Sequence, residues 1–178
     1  MCEMILGRKE TDFLQQQEHA KGIRVRMAYR EEWDDAMALA WRTFMQFDAK
    51  DYSKQGIESF QDFVTDTVLH RMFEMGAYQL LVAVNEEEKI VGIISLRNET
   101  HISLLFVDGK YHMQGVGRKL IESLCDYVVS EEGYRRITVN AAPYAVGFYH
   151  KLGFHDIGKQ EMKDGIIFTP MEKLIGWR

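Results

Sequence analysis

The segment Leu104 to Leu120, LLFVDGKYHMQGVGRKL, sets two glycines, Gly115 and Gly117, between a strand-like run and the start of a helix-like one. Glycine carries no Cβ, so a backbone can lie close to a ligand there. A helix N-terminus presents unpaired N–H groups and a partial positive charge, which suits phosphate. Arg118 and Lys119 add cationic side chains beside it. The expected chemistry is a pyrophosphate cradle over Met113, Gln114, Gly115, Val116, Gly117 and Arg118. Two well-known phosphate signatures fail. A Walker loop needs Lys-Ser or Lys-Thr at its end, and a dinucleotide fingerprint needs a third glycine where Leu120 stands. By themselves the two glycines also fit a turn that merely starts a helix.

A second segment, Val139 to Phe154 (VNAAPYAVGFYHKLGF), reads as a strand, a turn at Pro143 and a short helix stopped by Gly153. Together the segments resemble the GNAT superfamily of acyl-CoA-dependent N-acetyltransferases. That family carries Gln/Arg-x-x-G-x-G/A after its fourth strand and a Phe-Tyr-x-x-Leu-Gly-Phe helix further on. Here these read His112-Met-Gln-Gly115-Val-Gly117 and Phe148-Tyr149-His-Lys-Leu152-Gly153-Phe154.

The resemblance implies a fourth strand splayed from the fifth, with Leu105, Phe106 and Val107 offering backbone groups to the pantetheine arm and acyl carbonyl. It implies pyrophosphate on the amides of Met113 to Arg118, and Tyr149 as the acid that protonates the leaving thiolate. Asn140 stands where the family often has a polar CoA contact; Ala142 would be silent there. His112 departs from the family's Gln or Arg, and its side chain is expected to hold the loop. Acetyl-CoA is the implied co-substrate, an amine the acceptor, and a homodimer a habit of the family. A small-molecule amine is favoured over a protein N-terminus or lysine. A catalytically silent acyl-CoA sensor is the alternative class.

The elements that must position these residues follow from periodicity. Ile23 to Tyr29 alternates as a strand. Trp33 to Met45 recurs at helical spacing, FDAKDYSKQG reads as a loop, and Ile57 to Met72 as one second helix ending near Gly76. Three strands follow (Leu80 to Val84, Ile90 to Leu96, Ile102 to Val107), then a helix with Val116, Leu120, Ile121, Leu124, Cys125 and Val128 on one face. Arg136 to Asn140 is a strand, Tyr144 to Leu152 a helix and Ile166 to Met171 the last strand. The order βαα-βββ-α-β-α-β predicts a single-domain α/β fold with a mixed sheet. Residues 1–22 read as an extension and 23–178 as the transferase domain.

For the acceptor side the sequence offers Phe47, Asp48, Asp51, Tyr52 and residues 160–165. Aspartates there could attract a cationic amine. Candidate bases are Glu99, His101 and Ser103, the last two expected on one strand face with Leu105 and Val107. His150 and His155 bring no further ligand at a recognisable spacing, so no metal is expected.

The chain has 178 residues, 22 Lys plus Arg against 27 Asp plus Glu, a net charge of −5 and 46% apolar residues. This is a globular composition. Its acidity argues against nucleic-acid partners. Its longest apolar run, Ala36 to Trp41, argues against a membrane span. The two cysteines, Cys2 and Cys125, form no pair motif, and the charged N-terminus is not a secretory signal; a reducing, cytoplasmic location is expected.

Overall fold

The computed structural model describes residues 20–176; most of the expected extension, with Cys2, lies outside the described residues. Strand β1 (Arg24–Met27) is followed by α1 (Trp33–Thr43), α2 (Lys54–Val64) and α3 (Thr67–Glu74). The meander β2 (Gln79–Val84), β3 (Ile90–Arg97) and β4 (His101–Val107) comes next. Then follow α4 (Val116–Tyr127), β5 (Arg136–Ala141) and α5 (Val146–Lys151). Short strands β6 (His155–Asp156) and β7 (Glu161–Lys163) precede β8 (Ile166–Leu174). The sheet order is β1-β2-β3-β4-β5-β8-β6, with β7 paired to β8. All pairs are antiparallel except β4 with β5, so the sheet is mixed.

Two apolar cores flank the sheet. Trp33, Ala36, Met37 and Ala40 of α1 pack with Leu80, Val82, Ile93 and Leu104 on one face. Val116, Leu120, Ile121 and Leu124 of α4, with Tyr149 of α5, pack with Leu81, Ile94 and Ile137 on the other.

Three differences from the periodicity reading have physical causes. The second helix is two helices, because the Asp66 carboxylate caps the N–H groups of Val68 and Leu69 and starts a new one. The first helix does not end before the loop: a π-helical turn carries it through Phe44–Asp48. The C-terminal strand gains a hairpin partner, β7.

The difference with most consequence is a β-bulge. Leu96 pairs with Ile102 and Ser95 with Leu104, so Ser103 has no opposite residue on β3. The Ser95 hydroxyl accepts from the Leu104 N–H at 3.1 Å and lies 2.6 Å from the Tyr78 hydroxyl. Ser95 and Tyr78 are 0% and 1% exposed, so water cannot replace either partner. The bulge reverses the side-chain alternation of β4. Leu105 and Val107 join the α4 core, while Leu104 and Phe106 join the α1 core. Ser103 sits by Tyr78 on the α1 side. The shared face expected for Ser103, Leu105 and Val107 is therefore corrected.

Replacing Ser95 by Ala strands the Leu104 amide in the core and leaves the Tyr78 hydroxyl only Ser103 beside it. The expected cost is about 1–3 kcal/mol, read as a fall of several degrees in a thermal melt.

Candidate active site

The site begins where β4 and β5 part. They pair only at His101↔Thr138 and Ile102↔Val139, although β4 runs on to Val107. Asp108 N–H donates to Val91 O at 2.8 Å, and Phe106 lies opposite Ile93. Alternation of the antiparallel ladder then turns the backbone of Phe106 toward β3 and that of Leu105 and Val107 toward the gap. Of the three residues expected to offer backbone groups, Phe106 does not; its ring instead lines the cleft, 5.5 Å from Phe60. The Val107 carbonyl is already taken, since His112 Nε2–H donates to it at 2.7 Å. His112 thus closes the loop on the end of its own strand. Gln114 does the same through a 2.8 Å bond to Lys110 O.

Beyond this clamp the backbone folds into an amide-rich turn. Met113 and Gly115 both adopt left-handed φ, 59° and 79°. None of the amides of Met113, Gln114, Gly115, Val116, Gly117 and Arg118 finds an acceptor among the described residues. A concave run of such amides at a helix start is an anion site. Lys119, expected beside it, is instead bonded to the carbonyl of Ile23. A Cβ on Gly117 would come within 3.1 Å of Phe148 Cζ. The second glycine of the first motif is therefore the seat of the aromatic of the second.

The cleft has a volume of about 470 Å³. Tyr149 lines it from α5. Its ring is held edge-on between Phe148 and Phe154, at 5.3 and 5.1 Å. The residue is 5% exposed, and its hydroxyl has no hydrogen-bond partner among the described residues. Burial alone pushes this phenol up, so it keeps its proton at neutral pH. Asn140 and Ala142 line the same cleft from β5 and the turn after it.

The three expected bases separate. Glu99 lies outside the cleft and accepts from the Tyr134 hydroxyl. Ser103 lines the cleft on the α1 side. His101 also lines it, with Nδ1 2.8 Å from Thr138 Oγ1. Burial, and then the Arg97 charge, lower it to about 4, so the ring is neutral at pH 7.

The expected acceptor residues separate as well. Phe47 packs on His112, centroids 4.6 Å apart, and a Cβ on Gly109 would sit 2.7 Å from it; it braces the loop before α4. Asp51 is exposed and outside the cleft, whereas Asp48 and Tyr52 line it. Asp48 is 5% exposed. Among residues 160–165, Lys163 and Asp164 reach the cleft. The β7–β8 turn is docked on α2, where Ser53 Oγ donates to Gly165 O at 3.3 Å. Tyr144 completes the wall and was not singled out in the sequence; its place just after Pro143, at the mouth of the gap, is the signal that could have found it.

Cys125 is half-buried on α4, and burial raises its thiol to about 11, which suits a packing role. His150 pairs with Asp156 and His155 with Glu172. No three metal-binding side chains converge among the described residues. No helix there is long and apolar enough to cross a membrane.

The two parallel strands part into an open gap that leads to a helix start with unpaired amides and to a buried phenol that keeps its proton. The family model described as an acetyltransferase (GNAT) domain matches residues 48–175, and the chain belongs to that family. It is 28% identical over 147 residues to the peptidyl-lysine N-acetyltransferase YjaB of Salmonella typhimurium, covering 80% of this chain and 90% of that one. A GCN5-related N-acetyltransferase from Rhodopseudomonas palustris superposes with a TM-score of 0.72 at 25% identity, over 85% of this chain and 95% of that one. The PaiA N-acetyltransferase of Thermoplasma acidophilum, solved with coenzyme A, shares the fold at TM-score 0.67 and 20% identity, over 85% and 98%. The protein is an acetyl-CoA-dependent N-acetyltransferase acting on an amine.

His101 gives this site a pH signature. Its folded pKa lies below its unfolded value, so the unfolded state binds the extra proton. Its contribution is intact above pH 6.5 and is lost as pH falls from there toward about 4. Urea titrations across that window are expected to show a steeper loss of stability in the native protein than in His101→Gln.

Proposed function

We propose that this enzyme acetylates a small primary amine, and that the residues lining the β4–β5 gap divide the work. The observation that carries the acceptor reading is the small size of the cleft, about 470 Å³, with Asp48 and Tyr52 in its lining. The β7–β8 turn, bonded to Ser53 and Ser59, narrows it beside them. A cleft of that size suits a compact amine better than a folded protein surface.

Acetyl-CoA supplies the activated acyl carbonyl and a thiol leaving group. The amides of Met113 to Arg118 would hold its pyrophosphate, and the unpaired backbone of Leu105 and the N–H of Val107 its pantetheine arm. The free Leu105 N–H would also steady charge developing on the carbonyl oxygen. Asn140, with no hydrogen-bond partner among the described residues, would add a side-chain contact. The acceptor's ammonium would first give one proton to solvent. As the neutral amine nitrogen bonds to the carbonyl carbon and the C–S bond breaks, Tyr149 would pass its proton to sulfur, and the second proton lost from nitrogen would restore the phenol.

Acetylation of a lysine side chain in a protein is the second reading. It is favoured by the name of the Salmonella relative. Initial rates of thiol release with small aromatic and aliphatic amines, a polyamine and a lysine peptide separate the two. The small-amine reading requires higher kcat/KM on a small amine than on the peptide; the reverse order establishes the second.

Tyr149→Phe keeps the ring between Phe148 and Phe154 and removes only the hydroxyl. It should lower kcat about 10²-fold or more while CoA affinity and Tm hold. Unchanged turnover and pH profile would assign Tyr149 to packing alone.

A further inference from the structure

We infer that Asp48 is the anchor for the acceptor's ammonium group, and that the acceptor is a primary amine carried on a flat or apolar carbon skeleton. The inference rests on the acceptor site lying in this cleft. Its basis is a carboxylate buried without a cation.

Asp48 continues the inner face of α1. Ala36, Ala40 and Phe44 recur at four-residue spacing and are 0%, 0% and 2% exposed. The next step of that series is Asp48, so an acid stands where the packing pattern asks for an apolar side chain. It is 5% exposed, lines the cleft and makes no ion pair among the described residues; its one hydrogen-bonding neighbour is the Tyr144 hydroxyl, a neutral donor. The Tyr144 hydroxyl faces it from the turn after β5. Lys50 and His112 act on it from a distance without closing a contact, and Asp51 opposes them. Arg97 and Lys163 also line the cleft, but neither is among the charges acting on Asp48. A buried carboxylate left in this state is costly unless a cation joins it.

The surroundings state what that cation is attached to. Phe44, Phe60 and Tyr52 form a contiguous aromatic wall, with Phe44 4.2 Å from Phe60 and 5.1 Å from Tyr52. Phe106 extends it toward the gap, and Tyr144 closes it opposite. Aromatic faces attract an ammonium and pack against flat carbon. Polyhydroxylated or highly polar skeletons would leave their own groups unpaired there.

Calorimetry on the CoA-loaded enzyme tests this without turnover, using 2-phenylethylamine and its uncharged isostere 2-phenylethanol. The native protein should bind the amine well over tenfold more tightly. Asp48→Asn should weaken amine binding about 30-fold or more and leave alcohol binding unchanged. Asp48→Glu should keep the preference for the amine, and Asp51→Asn, an exposed neighbour, should match the native protein. Native enzyme that binds the alcohol as tightly as the amine, or neither, overturns the inference. So does Asp48→Asn that weakens both probes equally, which is a structural effect. If Asp48→Asn does not fold, the native preference and Asp48→Glu decide. Amine selectivity without acetyl transfer to any small amine would instead count against the acceptor class under the proposed function.

Discussion

The hydroxyl of Ser95 is the contact on which the site depends. It receives the Leu104 amide at the point where β4 carries one residue too many. A bulge adds local twist and ends regular pairing. Here it lies just after the two residues that pair β4 with β5. Beyond the bulge β4 runs on without β5, and the backbone of Leu105 and the N–H of Val107 are left facing an opening. Edge-like backbone groups inside a sheet would be a liability unless something pairs with them. In a family that binds acetyl-CoA, the substrate itself can take that place.

The two sequence motifs are halves of one contact. Gly117 is small because Phe148 sits on it, and Phe148 in turn braces the ring of Tyr149. Gly115 is a glycine for a different reason, its left-handed φ at the first helical cap. The amide-rich turn and Tyr149 are therefore fixed relative to one another by van der Waals contact between α4 and α5. His112 adds a tether from the turn to Val107 at the end of β4. The three parts that must meet one substrate are joined directly rather than through the distant core.

What could be read from the sequence was whatever had a period or a motif. Element order, the mixed sheet, Gly115, Gly117 and the Phe148-Tyr149 helix are local patterns, and local patterns survive without coordinates. The side of the sheet that Ser103 faces was not legible, because one inserted residue reverses every later position and leaves no mark in alternation. The break at Asp66 was hidden for a related reason: Val64 and Val68 keep the helical spacing across it. Lys119 reads as a phosphate cation by proximity, yet it bonds to Ile23, ninety-six positions earlier. Tertiary partners of long side chains have no sequence period. Asp48 is the instructive middle case. Its position in the series Ala36, Ala40, Phe44 was visible, but the Phe-Asp-Ala-Lys-Asp composition argued for a loop and masked the register.

That register bears on how the fold divides stability from function. Ser95 and Asp48 are both buried polar side chains, and they differ in that Asp48 has no cation to balance its charge among the described residues. Ser95 has Leu104 and Tyr78, so its burial contributes to a single, well-defined strand geometry. Asp48 has aromatic rings and a facing hydroxyl, a setting that disfavours its charge and raises its pKa. An apolar residue there would make a more stable helix turn. Keeping the acid lowers the stability of the free protein and returns that energy when a cation enters, so the residue discriminates among ligands in proportion to what it costs the fold. The chain's net charge of −5 gives a weak, general attraction for amines, screened by salt over roughly 10 Å. Selectivity requires a charge that water and salt do not reach, and in this cleft Asp48 at 5% exposure meets that requirement.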